Sequence, residues 1–245
     1  MSRFKCIVEY DGKKFYGWQS QPHRNTIQQC IETALQKIIK KKIKIFGSGR
    51  TDSGVHAIGQ VFHFDYDGRL HAFKILEGTN HFLKKKNISI IKVKKVKKKF
   101  NSRKNAILRI YHYIIINRKS NLSLMNGRAW HVKKKLDIKK MQNAAKLFLG
   151  KHDFTTFRSK SCNAKSPIKT IEYSRIKISD KKIIYVVKSR SFLQHQVRSM
   201  IGAIKYVGEG KWNIDDLKKA IKKKNRISCP PVAPPCGLYL FKVQY

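Results

Sequence analysis

The stretch GSGRTDSGVHAIGQVFHF, residues 47–64, places one acid, Asp52, in a glycine-rich turn beside Arg50. An aspartate often stabilises such a turn by bonding its own backbone, so a purely structural role is one explanation. The other explanation is chemical, because an ionised carboxylate can act as a nucleophile or as a base. Asp52 is therefore a candidate catalytic residue, and the rest of the chain has to support or oppose that role.

Two known motifs do not account for this loop. The segment lacks the GxxxxGK[ST] spacing of a phosphate-binding P-loop. The tripeptide DSG also occurs in aspartic proteases, where two carboxylates share one proton, but the chain contains no second DSG or DTG. A net charge of +41 also has no evident use in a protease. We therefore set both explanations aside.

The charge of the chain indicates a polyanionic partner. It has 55 Lys+Arg against 14 Asp+Glu, and such a field attracts nucleic acid. At 41% hydrophobic residues the chain is expected to be globular. A genome biased toward AAA codons and solvated protein faces are two alternative sources of lysine, and the composition leaves their share open. The lysine runs suited to following phosphates are 40–42, 84–86, 94–99, 133–135 and 222–224.

The opening, MSRFKCIVEYDG, has the pattern of neither a signal peptide nor a membrane span, and no later apolar run is long enough to cross a bilayer. The five cysteines are scattered, without a CxxC pair or the histidine spacing of a zinc site. We expect a cytoplasmic protein with reduced thiols, without a metal and without a membrane anchor.

The hydrophobic periodicity predicts an α+β unit that places Asp52 between two strands. Either Asn25 or Thr26 is expected to cap its first helix, because a glutamine follows three residues after each. The predicted elements are strands at 3–10, 43–46, 59–66 and 88–96 and helices at 26–39 and 70–83.

A second α+β unit follows the basic junction KKKFNSRKNA, so we predict domains at 1–104 and 105–245. Its short helix NIDDLKKAIKK is expected to be capped by Asn213, with Asp216 at the third position. The other predicted elements are strands at 107–116, 171–179, 182–190 and 238–244 and helices at 137–150 and 192–208. Both halves therefore fit related α+β sandwiches.

The string GRTDSGVHA, with GWQ at 17–19 upstream, resembles the signature of the TruA family of tRNA pseudouridine synthases. The usual form in that family is GRTDAGVHA, so Ser53 replaces an alanine. Further segments resemble the family in the same order and extend the resemblance over nearly the whole chain: FNSRKNA, RIYHY, DFTTFR, HQVRSMIG and GLYL.

The resemblance implies a fold, a substrate and a partner. The fold would be two ferredoxin-like α/β sandwich units, with mixed or antiparallel sheets, around a central basic cleft. The substrate would be tRNA, with uridines 38, 39 and 40 of the anticodon stem and loop converted to pseudouridine. The protein would act as a homodimer, and it would need neither a metal nor an organic cofactor.

The resemblance also assigns roles to residues. Asp52 would attack C1′ of the target nucleotide or remove its C2′ proton, and the sequence leaves both routes open. Arg198 would form an ion pair with Asp52; it lies on an apolar helix that also carries His195, where a charge needs a partner. Tyr111 would stack on the uracil. Tyr113 points the same way along its strand, and the motif alone selects Tyr111.

Three further residues complete the expected site. Arg50 would fill the gap left when the target base is flipped out of its stem, although a simple phosphate contact is the alternative. Leu238 would line the uracil pocket, and Arg103 would bind substrate. A basic RNA-binding or chaperone protein that keeps the fold without catalysis is the alternative function.

Overall fold

The computed structural model describes residues 1–245 and confirms the mixed α+β class, with ten strands and five α-helices. The chain divides by its internal contacts into two compact units. The first comprises Met1–Ile107 and Tyr239–Tyr245, and the second comprises Leu108–Leu238. Independent domains at 1–104 and 105–245 stay a prediction.

The first unit is built on strands in the order β4-β1-β3-β10, with β2 paired to β3. Strand β1 is antiparallel to both β3 and β4, whereas β10 runs parallel to β3. The strands are β1 (Ser2–Tyr10), β2 (Phe46–Gly47), β3 (His56–Tyr66), β4 (Ile88–Val96) and β10 (Leu238–Gln244). The helices are α1 (Ile27–Ile39) and α2 (Ala72–Leu83).

Alternation in β1 buries every second side chain, as a strand with one face on a core requires: Phe4, Cys6, Val8 and Tyr10 are buried. Burial raises the pKa of the Cys6 thiol well above its ordinary value. The strand therefore contributes one continuous apolar face to the core of its unit.

Helix α1 begins where it was predicted but is not capped as predicted. Thr26 is the N-cap residue, yet its side chain makes no capping hydrogen bond. The Ile27 N–H donates instead to the Gly17 carbonyl at 3.2 Å, and the Gln28 N–H donates to the Trp18 carbonyl at 2.9 Å. Backbone carbonyls of an earlier segment thus accept the first N–H groups of the helix, which have no partner within it.

The second unit has strands in the order β5-β9-β8-β7, and β6 lies parallel to β5. Its strands are β5 (Leu108–Asn117), β6 (Trp130–Val132), β7 (Gly150–Asp153), β8 (Ile168–Ser179) and β9 (Lys182–Ser189). Its helices are α3 (Ile138–Lys146), α4 (Gln196–Gly208) and α5 (Ile214–Lys222). The predicted pair of strands is confirmed as the antiparallel hairpin β8–β9, whose turn carries two residues of positive φ, Asp180 and Lys181.

Two predicted helices are shorter than expected, and one is confirmed with its cap. The predicted helix over 137–150 ends at Lys146, and the backbone of Gly150 has φ +92°, which is incompatible with a helix. The helix predicted from 192 begins only at Gln196, because His195 takes a left-handed backbone conformation. In α5 the reciprocal capping box of Asn213 and Asp216 is present.

No helix in the structure is long and apolar enough to cross a bilayer. All five cysteines are free thiols. No three His, Cys, Asp or Glu side chains are grouped so that they could hold a metal ion.

Candidate active site

The loop that carries Asp52 is anchored to β3 where it begins. The Ser48 N–H donates to the Val61 carbonyl at 2.7 Å, and the Ser48 hydroxyl donates to Gln60 Oε1 at 2.6 Å. The amide nitrogen of Gln60 then donates to the Gly49 carbonyl at 2.9 Å. Because Ser48 and Gln60 are buried, these bonds are shielded from water and fix the path of the chain toward Asp52.

Asp52 itself is partly exposed, between two buried neighbours. Thr51 and Val55 are both buried, and the Thr51 hydroxyl is 2.8 Å from the Tyr10 hydroxyl. The Val55 N–H donates to the Asp52 carbonyl at 3.2 Å, which closes a turn in which Gly54 has φ +75°. Thr51 and Val55 therefore hold the backbone on both sides of Asp52, which is itself partly exposed.

Residues 14–18, which we call the support segment, hold the Asp52 loop from behind. The Phe15 carbonyl accepts hydrogen bonds from the Ser53 hydroxyl at 3.1 Å and from the Gly54 N–H at 3.3 Å. The Trp18 N–H donates to the Thr51 carbonyl at 3.1 Å. Ser53 therefore adds a hydrogen bond that an alanine at this position could not make.

Only glycine fits at position 17 of the support segment. Gly17 has φ +86°, and a Cβ at this position would lie 2.6 Å from the Thr51 carbonyl oxygen. The indole of Trp18 packs equally closely on Gly47, where an added Cβ would be 2.6 Å from Nε1. The GW dipeptide of the sequence thus allows two backbone segments to approach each other next to Asp52.

A second layer of residues, which the sequence reasoning missed, packs under the same loop. The Gly12 N–H donates to Nδ1 of the buried His56 at 3.0 Å, and Asp11 Oδ1 lies 3.2 Å from that nitrogen. The imidazole stacks on Tyr239 with ring centroids 4.7 Å apart. The available signal was the turn dipeptide Asp-Gly in EYDG together with the histidine of GVHA.

Arg50 and Arg103 both lie exposed in the first unit. Arg50 is two residues before the partly exposed Asp52, and the buried Thr51 lies between them. Arg103 belongs to a separate turn, in which Asn101 Oδ1 accepts the Arg103 N–H at 3.0 Å. The first unit thus brings Arg50 and Asp52 together in one loop and holds Arg103 in another.

Tyr111 and Tyr113 of β5 share a side of the strand but differ in environment. Tyr113 is 0% exposed, its hydroxyl donates to the Pro234 carbonyl at 2.7 Å, and burial raises its pKa well above the ordinary value. Tyr111 keeps 8% of its surface exposed and makes an edge-to-face contact with Phe192, the centroids being 5.2 Å apart. Both tyrosines are therefore buried, and the structure distinguishes them by their partners, which periodicity could not provide.

Arg198 lies in the first turn of α4 and is held by the proline-rich loop, residues 229–237. Its Nε donates to the Ala233 carbonyl at 2.8 Å, and its own carbonyl accepts the Ala233 N–H at 3.2 Å. The loop seats closely on α4, because a Cβ on Gly202 would be 2.6 Å from the Pro231 carbonyl oxygen. The direction of the guanidinium is thus set by the loop.

Leu238 follows directly after the proline-rich loop and is buried at the start of β10. The preceding Gly237 packs on the ring of Tyr113, where an added Cβ would be 2.6 Å from two ring carbons. Arg198 and Leu238 are therefore both positioned by the proline-rich loop of the second unit.

Comparison with known proteins gives consistent results. The sequence profile described as tRNA pseudouridine synthase matches residues 6–103 and 144–245. The chain is 49% identical to tRNA pseudouridine synthase A of Pelagibacter ubique over 246 residues, covering 100% of both chains. It is 42% identical to the protein of that name from Parvibaculum lavamentivorans and 43% identical to that from Bradyrhizobium diazoefficiens, again covering 100% of both chains.

Among solved structures the chain is similar to one in the crystal structure of a Cbf5–Nop10–Gar1 complex. The identity is 12% and the TM-score 0.36, over 82% of this chain and 54% of the other. A likeness at this level supports no argument about function.

Proposed function

The chain belongs to the tRNA pseudouridine synthase family, and from this premise we propose that it isomerises uridines 38, 39 and 40 in the anticodon stem and loop of tRNA, with Asp52 as the reacting group. One observation supports the assignment of the residue: the partly exposed Asp52 lies on a loop that is held by hydrogen bonds of Ser48, Thr51, Ser53 and Gly54. A carboxylate on a loop held in this way reaches a substrate without reorganisation of that loop.

The reaction breaks the bond from C1′ to N1, turns the detached uracil and rejoins it through C5. A proton leaves C5 and another is gained at N1, so no atoms are lost overall and no electrons are exchanged with a cofactor. In one route the Asp52 carboxylate attacks C1′, and in the other it removes the C2′ proton. A tRNA carrying deuterium at C2′ distinguishes them, because only proton removal gives a primary isotope effect on turnover.

Both routes need an ionised Asp52, and we propose Arg198 as its ion-pair partner. The anchoring of the Arg198 Nε by the Ala233 carbonyl supports this role, since it restricts the guanidinium to one direction. Arg198→Lys keeps the charge but not the planar fork of donors, so it is expected to lose most of the turnover.

Turnover is tested by tritium release from tRNA labelled at C5 of uridine. The parent protein is expected to release tritium, and mapping the modified uridines tests the assignment to positions 38, 39 and 40. Asp52→Asn should bind tRNA with nearly unchanged affinity while activity falls by several orders of magnitude. Activity within about tenfold of the parent would remove Asp52 from the mechanism. A pure parent protein that binds tRNA without tritium release would identify a non-catalytic RNA-binding protein.

For Tyr111 we propose stacking on the detached uracil, which holds the ring and still lets it turn in its own plane. If stacking alone matters, Tyr111→Phe retains much of the activity and Tyr111→Ala little. If the hydroxyl takes part, both variants fail. Tyr185→Phe is the matched control, because the hydroxyl of the buried Tyr185 is hydrogen-bonded to the Ser174 hydroxyl at 2.9 Å within the same unit, and its loss should lower stability rather than turnover.

For Arg50 we propose that the side chain occupies the space of the flipped base. Arg50→Ala should then bind tRNA with an almost unchanged salt dependence, while turnover at saturating tRNA collapses, because unstacking a base costs a few kcal/mol. A target uridine in a mismatch is already partly extruded and should rescue the variant more than the parent. A salt slope lowered by about one unit, with turnover preserved, would instead mean that Arg50 contacts a phosphate.

The remaining assignments complete the proposal. Leu238 would line the uracil pocket, and Arg103 would contact the RNA within a central basic cleft. The protein would work as a cytoplasmic homodimer, and the five free thiols accord with a reducing compartment. Sedimentation equilibrium with and without tRNA measures the oligomeric state, and a monomer in both samples would contradict the dimer.

A further inference from the structure

A cavity of about 410 Å³ lies in the first unit between α1, the end of α2 and the loop that precedes α1. Its walls carry the cationic side chains of Arg24, Lys37 and Lys86 and the imidazole of His23, and no carboxylate lines it. The volume falls within the range of about 300–1,000 Å³ that is usual for small-molecule sites. The cavity is therefore large enough for a ligand bigger than a single ion.

The cavity also has an apolar part. Ala34 and Leu83 contribute buried side chains, and the ring of Phe82 is 41% exposed. The Lys37 ammonium lies 5.0 Å from the centroid of that ring. A cationic rim beside an aromatic and aliphatic wall suits a nucleotide, whose phosphate seeks cations and whose base packs on apolar or aromatic surface.

The acid nearest to this region along α1 does not counter that charge. Glu32 Oε1 accepts hydrogen bonds from the Gln28 amide at 2.9 Å and from the Ile45 N–H at 3.0 Å, so its carboxylate is engaged outside the cavity. Lysine is abundant over the whole chain, so charge alone would not distinguish this place. The concave shape, the apolar wall and the absence of a lining carboxylate distinguish it together.

The wall of the cavity is hydrogen-bonded to the support segment of the Asp52 loop. The side chain of Asn25, which lines the cavity, donates to the Lys14 carbonyl at 3.3 Å, and the Asn25 carbonyl accepts the Tyr16 N–H at 3.0 Å. Phe15 lies between Lys14 and Tyr16, and its carbonyl accepts the hydrogen bonds of Ser53 and Gly54 that hold the Asp52 loop. A ligand that immobilises Asn25 thus restrains the backbone directly behind the candidate catalytic loop.

We propose that this cavity binds one phosphorylated nucleotide of the substrate RNA, away from the reacting uridine, and that its occupation fixes the support segment and with it the Asp52 loop. The phosphate would lie against Arg24 and Lys86, and the base or ribose against Phe82. That the nucleotide comes from RNA rests on the proposed function, whereas the cavity's preference for a phosphorylated nucleotide does not.

Cys30 provides a test that needs no turnover, because its thiol lines the cavity and donates to Asn25 Oδ1 at 3.3 Å. The rate of its alkylation is measured by peptide mass spectrometry, with Cys162 of the second unit as the internal reference. The probes are uridine monophosphate, inorganic phosphate and a tRNA transcript, all at one ionic strength because exposed charges are screened by salt. We expect both tRNA and uridine monophosphate to slow alkylation of Cys30 relative to Cys162, and inorganic phosphate to do so less.

Two variants give the protection its meaning. In Arg24→Ala/Lys86→Ala the protection by either nucleotide probe should weaken about tenfold to a hundredfold, since each cation contributes a charge-assisted contact. In Lys139→Ala/Lys219→Ala, which removes two exposed lysines of the second unit, it should remain. Equal protection in both variants, or no protection by any probe, would overturn the proposal. Slower alkylation of Cys30 at higher protein concentration, with no probe present, would overturn it as well.

The source of the nucleotide is decided by comparing the probes. Protection by uridine monophosphate without protection by tRNA would overturn the assignment to RNA and leave a site for a free nucleotide. The coupling to the Asp52 loop is tested by Thr33→Trp, whose indole would exclude the nucleotide from the cavity. The support segment then lacks the restraint that the bound nucleotide provides, and kcat for tRNA should fall about tenfold. An unchanged kcat would overturn the coupling. Protection of Cys30 in a protein that releases no tritium would refute the proposed function and keep the nucleotide site. Tritium release without protection of Cys30 would support the proposed function and refute the nucleotide site.

Discussion

Gly17→Ala perturbs the Asp52 loop without changing any charged side chain. The new methyl group would lie 2.6 Å from the Thr51 carbonyl oxygen, and the backbone would have to keep φ near +86°. The atoms that the methyl group would meet are backbone atoms of the Asp52 loop, which cannot rotate away like a flexible side chain. Either the support segment or the loop therefore has to shift. Because the Trp18 N–H donates to that same carbonyl, the shift displaces the residue immediately before Asp52.

The size of the effect follows from two contributions. A left-handed conformation costs an alanine about 1–2 kcal/mol, and relieving a steric overlap in a packed region costs about 1–3 kcal/mol. The free energy of unfolding should therefore fall by about 2–5 kcal/mol. Displacing a reacting group by about 1 Å can lower turnover about a hundredfold, so we expect kcat to fall by one to two orders of magnitude.

The matched control is Gly210→Ala. Gly210 has φ +73°, and an added Cβ would meet no atom within 4 Å, so this variant should show the backbone cost of about 1–2 kcal/mol without the overlap. Thermal unfolding measures the stability of both variants, and tritium release below the unfolding temperature measures kcat. If folded Gly17→Ala kept the kcat of the parent, or lost no more stability than Gly210→Ala, the contact with Thr51 would not position the loop.

Three other variants test separate parts of the structure. Gly202→Ala should displace the proline-rich loop from α4 and redirect Arg198, so that kcat falls about tenfold with little change in KM. The control Ala203→Gly should reduce only thermal stability. Equal losses of kcat in the two variants would show a general defect of the helix. Burial, together with the nearby Lys177 and Lys188, lowers the pKa of His112 to about 4. Below about pH 6.5 the unfolded chain therefore binds a proton at His112 that the folded chain does not bind, so the free energy of unfolding falls as the pH falls from 6.5 to 4. His112→Gln should reduce this pH dependence in a series of urea-unfolding measurements. Asn213→Ala removes the cap of α5 and should cost about 1 kcal/mol in urea unfolding while tritium release is unchanged, and an unaltered midpoint would mean that the cap does not stabilise the protein.

The sequence alone determined those features whose causes lie within a few neighbouring residues. The capping box of α5 needs only Asn213 and Asp216, three positions apart, and it is present as predicted. Strand β4 has the bounds predicted for it, 88–96, because its isoleucines and valines favour an extended chain locally. Asp52 lies between two strands as predicted, but the first of them, β2, comprises Phe46–Gly47 rather than 43–46, because only those two residues pair with β3.

The tertiary structure decided the features that depend on partners distant in the chain. The sequence favoured Thr26 as a side-chain cap of α1, but the carbonyls of Gly17 and Trp18 accept the first N–H groups of the helix instead. No local sequence pattern predicts that these two segments lie side by side. Tyr111 and Tyr113 are equivalent by strand periodicity. Both are buried, but the Tyr113 hydroxyl donates to the Pro234 carbonyl, 121 residues later, whereas the Tyr111 ring packs on Phe192. Such choices arise from packing between segments brought together only on folding, whereas strands and caps follow from steric and hydrogen-bonding preferences that each short segment already has.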